Sequence, residues 1–291
     1  MSAMATTIID AHHHFWDPET AEYPWMTGPY GPLRRAYGPA DLSPLLEAAG
    51  VTATVVVQAR QELEETHCLL ETAAATPWVA GVVGWVDLTR PDLAETLAGI
   101  RKGRHGDRLV GIRHQVHDEP DPEWLLRDDV MRGLSAVAEE GLAYDLLVRV
   151  RELPAATEVA RRLPQLRLVL DHLAKPPVST LEMEPWMSAI SPIAGLTNVV
   201  CKVSGLVTEA DWTSWKPADL EPYLETAVEL FGPERLVWGS DWPVSTLAAD
   251  YHEVYGITTE ILALLVGDDI GWIRGETAIA TYRLELVRPR V

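Results

Sequence analysis

The chain has 291 residues, with 24 Lys and Arg against 43 Asp and Glu, a formal net charge of −19 and a pI near 4.8. That balance argues against a partner built on phosphates, whether nucleic acid or an anionic membrane, because such partners need basic surface; an anionic small molecule stays admissible only where Lys and Arg gather locally. No apolar run approaches the roughly 20 residues that span a bilayer. Met1–Ala5 has no leader pattern, and two cysteines, Cys68 and Cys201, read as reduced and structural, so the expectation is a soluble cytoplasmic protein.

In chain order, the first element is the stretch Thr7–Trp16, an apolar β run that ends in Asp10-Ala11-His12-His13-His14. Strict strand alternation puts Asp10, His12 and His14 on one face and Ala11 and His13 on the other. His12 and His14 then form a two-imidazole claw for a divalent metal or an oxyanion. Residues 17–40 are dense in Pro, Gly and aromatics, a composition that breaks both helix and strand. A connection of that length is functional or covers the core. A first helix follows over 41–50, with Asp41 as its N-cap and Gly50 as its stop.

From there apolar runs at 52–59, 79–88, 109–116, 143–149, 167–173, 199–206 and 235–243 alternate with helical patterns at 62–76, 91–102, 123–140, 153–163, 181–193 and 219–231, and one or two helices run on to Leu284. Most of the runs lack polar alternation, which is the mark of strands buried on both faces in a parallel sheet. The pattern predicts an α/β fold, a single distorted (β/α)8 TIM-type barrel with an extended first loop and a C-terminal helix. An open doubly wound sheet is the alternative, and it is disfavoured because no G-x-G-x-x-G follows a strand. Without a linker or a shift in composition, one domain is expected over 1–291, with a flexible tail at 1–6.

Barrels of this type do their chemistry at the C-terminal ends of the strands. Several runs end in ionisable residues there: His12 and His14, Arg113-His114, Asp171-His172, Lys202, and Asp241. Closure makes the first and eighth strands neighbours, so His12, His14, His172 and Asp241 can enclose a single divalent ion with positions left for water.

Five pieces then carry a family resemblance: DAHHHFW at 10–16, GIRH at 111–114, DHLAKP at 171–176, KVSGLVTE at 202–209 and WGSDWP at 238–243. The chain resembles the amidohydrolase superfamily, and within it the sugar-lactonase branch of the amidohydrolase 2 type. The resemblance implies a distorted barrel with His12, His14, His172 and Asp241 in the active site. Binuclear members of the superfamily carry a bridging Lys or Glu on strand four and a His on strand five; this chain has neither, with Asp145 in the fifth run, so at most one metal is expected, zinc or manganese first. Metal-independent lactonases in the same branch keep a metal-free reaction open.

The expected activity is hydrolysis of a sugar-derived lactone, a cyclic ester, to the hydroxy acid. Asp241 is the general base, and His172 with the His12/His14 pair, or a metal they hold, polarises the carbonyl. Arg113 and Lys175 bind hydroxyls or a carboxylate, with Gly111 leaving room beside Arg113 inside the barrel. Gln58, Trp85 and Asp87 end the second and third strands and are pocket candidates, while Trp25, Tyr23 and Trp242 are candidates to stack on a sugar ring. His114 is a further contact candidate, although a regular strand turns it away from Arg113. Glu209 and Asp211 lie on a rim loop, and His67, His105, His117 and His252 read as solvent-facing. A non-oxidative decarboxylase or a sugar-lactone isomerase on the same scaffold is the alternative. The identity of the lactone, its ring size and the oligomeric state stay open.

Overall fold

The computed structural model describes residues 7–286; the expected tail at 1–6 lies outside them. Eight strands form one sheet in the order β1 to β8: Ile9–His13, Ala53–Val57, Val79–Gly84, Leu109–His114, Ala143–Leu146, Arg167–Leu170, Val199–Val203 and Leu236–Trp238. Each strand pairs in parallel with the next. Beyond β8 the ring is completed by two backbone bonds, from Asp241 N–H to the His12 carbonyl at 2.8 Å and from His14 N–H to the Trp242 carbonyl at 2.7 Å. This is the (β/α)8 barrel the alternation predicts.

The strands are apolar on both faces because both faces are covered. Ile9, Ala11, Val55, Val57, Val83, Val169 and Val237 fill the barrel, where they pack with Tyr282. Val56, Val82, Ile112, Leu146, Leu168 and Leu170 face the helices. Nine α-helices are described: α1 Pro39–Ala49, α2 Leu63–Ala75, α3 Leu93–Lys102, α4 Asp128–Glu139, α5 Leu153–Arg162, α6 Trp186–Ala194, α7 Pro217–Phe231, α8 Tyr251–Val266 and α9 Thr277–Tyr282.

Several boundaries move from their expected places. The apolar runs outlast the strands, because past Gly84, Val203 and Trp238 the chain leaves the ladder to build the rim. The sixth helix starts at Trp186 instead of residue 181, where Leu181 takes a left-handed backbone. The first helix starts at Pro39; Asp41 sits inside it and accepts the Gly38 N–H at 2.9 Å, while Gly50 ends it in left-handed geometry as expected. The long first loop holds only a short turn, Gly28–Leu33, and is anchored by a Trp16–Tyr37 bridge.

One expectation about β1 is overturned. The register slips between Asp10 and His13, so three steps on β1 match two on β2. The bulge breaks the alternation. Asp10 faces the helix layer, where it accepts the Tyr251 hydroxyl at 3.1 Å and the Ser240 N–H at 2.9 Å. His13 also faces outward, bonded to Thr54 Oγ1 at 2.8 Å. His12 and His14 keep a common inward face.

Candidate active site

At the C-terminal mouth of the barrel lies a cavity of about 300 Å³. Its wall includes His14, Arg113, His172, Lys175 and Asp241, with Trp25 and Tyr30 from the long first loop. A cavity of about 500 Å³ at the other end of the barrel, beside Arg101, Arg108 and Tyr282, has none of these imidazoles. Chemistry, not size, selects the mouth.

Asp241 is the centre of the constellation. Its Oδ1 lies 3.6 Å from His14 Nε2, 3.8 Å from His12 Nε2 and 4.0 Å from His172 Nε2. Burial works against its carboxylate, but His172, His14 and Lys175 outweigh burial and hold it below the ordinary Asp value. Burial outweighs the nearby Asp241 carboxylate on the rings: it moves His14 down and His172 down to about 4, so both are neutral near pH 7. His14 Nδ1 lies 2.8 Å from the Val57 carbonyl. A carbonyl can only accept, so the ring proton sits on Nδ1 and the Nε2 lone pair faces Asp241.

Two lone-pair atoms facing across 3.6 Å leave room for a positive charge between them. The donor atoms of His12, His14 and Asp241 lie within 4.8 Å of one another, so these residues fit one divalent ion. A second donor set, His12, Asp171 and His172, fits less well because Asp171 is already committed. It pairs with Arg113 at 3.1 Å and with Lys202 at 3.1 Å. Burial opposes the Asp171 carboxylate, but Lys202, His12 and Arg113 hold it well below the usual range.

This floor extends along the barrel axis. Lys202 Nζ is 2.5 Å from Asp145 and 3.2 Å from His12 Nδ1, and the Tyr282 hydroxyl donates to Asp145 at 2.8 Å. Arg113 Nη1 lies 3.2 Å from His12 Nε2, and its Nη2 donates to the Gln58 carbonyl. Arg113 therefore lines the cavity and is also an ion-paired part of the floor. Gly111 does face the interior, and the space beside it is taken by Tyr282.

Local backbone geometry is unusual at the key residues. His172 and Asp241 have φ of 52° and 56°, a left-handed region that costs an L residue about 1–2 kcal/mol. Strain of this kind collects at functional sites. Gly205 is required beside them: its φ is +63°, and a Cβ there would lie 2.7 Å from His172 Nδ1. The same His172 nitrogen bonds Ser204 Oγ at 2.8 Å.

Several candidates do not reach the cavity. His114 faces away from Arg113, stacks on Trp124 with centroids 4.2 Å apart, and bonds Glu119 at 2.7 Å. Trp242 is buried against Phe15 and Tyr37. Gln58 lies behind Arg113, donating to its carbonyl at 3.2 Å. Tyr23 packs against Trp16, and Trp85 donates to His114, so neither they nor Asp87 line the cavity. Lys175 does, paired with Glu209 at 2.7 Å. His117 is the reverse case: expected in solvent, it lines the cavity, and burial moves it down to about 2. Arg149 and Asp118 join it there. The signal for His117 and Arg149 was their place, just past the fourth apolar run and at the end of the fifth, where rim residues are expected.

The amidohydrolase family model matches residues 9–284. The chain belongs to the amidohydrolase family. It is 42% identical over 261 residues to L-fucono-1,5-lactonase of Burkholderia multivorans, an alignment covering 86% of this chain and 87% of the relative. The crystal structure of an amidohydrolase from Burkholderia multivorans with bound HEPES superposes with a TM-score of 0.90 at 39% identity, covering 96% of this chain and all of that one. A second crystal structure from that organism, with bound zinc, gives 0.89 at 40% identity over the same shares. Among the described residues, no helix of this amidohydrolase is long and apolar enough to cross a membrane.

Proposed function

We propose that this amidohydrolase hydrolyses a sugar-derived lactone, a cyclic carboxylic ester, to the open hydroxy acid, with 1,5-aldonolactones of the L-fuconolactone type as the first substrates to test. The observation that carries the reading is a cavity-facing Asp241 carboxylate, kept ionised and ringed by three imidazoles. The 42% identity to a lactonase over most of both chains supports it.

Asp241 Oδ1 takes a proton from water as the water oxygen attacks the lactone carbonyl. Neutral His172 and the Arg113 guanidinium face the developing oxyanion side of the cavity. Collapse of the tetrahedral adduct breaks the bond to the ring oxygen, and the proton held by Asp241 passes to that leaving alkoxide. Lys175, Arg149 and His117 offer polar partners to ring hydroxyls, and Trp25 offers a flat face. A divalent ion, zinc before manganese, would be held by His12, His14 and Asp241, with His172 beside them, and when bound would supply Lewis-acid polarisation of the carbonyl. Cys68 and Cys201 are free thiols, which suits a cytoplasmic enzyme.

The test is a panel of aldono-1,4- and 1,5-lactones followed with a pH indicator, before and after chelation. Acid release from at least one lactone is expected; none from any member, or carbon dioxide release from an aromatic acid instead, would overturn the reading.

A further inference from the structure

Four consecutive non-glycine residues, His172, Leu173, Ala174 and Lys175, have left-handed backbone, with φ of 52°, 52°, 57° and 55°. L residues visit this region singly, because Cβ crowds the next carbonyl, and a run of four persists only where its surroundings hold it. The turn closes on itself through the Lys175 N–H, which donates to the His172 carbonyl at 2.8 Å. Its ends and its middle go opposite ways. His172 and Lys175 line the active-site cavity, while Leu173 and Ala174 are fully buried in the core.

The middle is pinned from outside. The indole N–H of Trp186, the first residue of α6, donates to the Leu173 carbonyl at 2.6 Å. Trp186 is itself fully buried, edge-on to Tyr223 with centroids 5.3 Å apart. It is not part of the cavity lining.

We propose that Trp186 is a positioning residue for this active site: its bond to the Leu173 carbonyl holds a left-handed turn that fixes the His172 imidazole and the Lys175 ammonium relative to each other. The proposal rests on the lactonase reading for what those two groups do. Were the turn to relax to extended or right-handed backbone, one of its ends would leave the cavity wall, and alignment with the lactone would be lost. The core side of the turn thus does the positioning and the cavity side does the contact.

Trp186→Phe deletes the N–H and keeps an aromatic ring. The expected result is a kcat about tenfold lower with KM within about threefold of wild type, together with faster amide hydrogen exchange across residues 171–178. Adding Ala174→Gly gives the turn a residue that adopts this φ without Cβ crowding; most of the lost kcat should return and the exchange should slow. Lost ring packing would not be repaired by a glycine at 174, so kcat that stays low in the double variant overturns the proposal, as does unchanged kcat in Trp186→Phe. Should Trp186→Phe not fold, Ala174→Gly alone decides: slower exchange over 171–178 supports a strained, pinned turn, and unchanged or faster exchange overturns it. Wild-type protein without turnover on any lactone would count against the lactonase reading, while the exchange measurements would still judge the pin.

Discussion

Asp241 and Asp171 sit on neighbouring parts of the same barrel mouth, and burial does not tell them apart: they are 4% and 0% exposed. Their neighbours do. Asp171 lies in the floor with Arg113 and Lys202 each 3.1 Å away, so its charge is used up in ion pairs. Asp241 lies in the wall with three imidazoles at 3.6 to 4.0 Å and, among the described residues, no Lys or Arg in salt-bridge contact. A carboxylate that keeps its charge without a direct cationic partner is free to take a proton; one held by two cations is a counter-ion. The comparison separates wall from floor, and each region makes its own predictions.

The largest expected effect falls on the floor. Lys202→Met leaves Asp145 and Asp171 buried and under-neutralised, which should cost about 3–5 kcal/mol of stability; a chemical denaturation curve close to wild type would remove Lys202 from that role. Next comes the wall. Asp241→Asn should lower kcat by about 10² or more with the fold intact, equivalent to roughly 2.7 kcal/mol of transition-state stabilisation. Near-normal turnover in a folded variant would take the general base elsewhere.

Smaller, and again in the wall, is a dependence on acid. His172 and His117 fall to about 4 and about 2 in the fold, so an unfolded chain with ordinary histidines near 6.5 binds more protons. Their contribution to stability is therefore complete above pH 6.5 and is lost as pH falls from there toward the folded values. Asp241, lowered below 3.8, stays ionised across that window. The denaturation midpoint should drop between pH 7 and pH 5; a flat midpoint would contradict the buried neutral rings. Smaller again, Trp25→Ala should raise KM about two- to tenfold, the scale of one aromatic contact, with kcat little changed. Smallest of all, His114→Phe should leave kcat and KM within about twofold, since its ring stacks on Trp124 outside the cavity.

The barrel was legible because its signal is dense: each apolar run and each helical stretch repeats the same instruction. The claw of His12 and His14 was legible for a related reason, since residues two apart on a strand share a face, and this pair keeps that face despite the slip between Asp10 and His13 that turns Asp10 away. Asp10 shows where that logic fails, because a single extra residue in the ladder reverses the face of everything before it. Trp242 and Gln58 miss the cavity for a different reason, whereas His114, paired with Leu146 in the ladder, turns away from Arg113 as strand alternation expects. Trp242 and Gln58 stand past a strand end, where side-chain direction depends on the loop that follows. His117 was misjudged for the same reason, since it belongs to a short turn, Val116–Asp118, that folds back over the mouth.

What the amino-acid order determined by itself is the alternation of buried strands with helices, and with it the rim on which His12, His14, His172 and Asp241 must meet, because burial on both faces and strand period are local properties. What only the tertiary structure decided is the division of labour among charged groups. Whether a carboxylate becomes a base or a counter-ion depends on cations brought from other strands, such as Lys202 for Asp171. The four-residue left-handed turn is likewise invisible in its own sequence, since those residues do not prefer that backbone and only the packing around them, with Trp186 at 2.6 Å, imposes it.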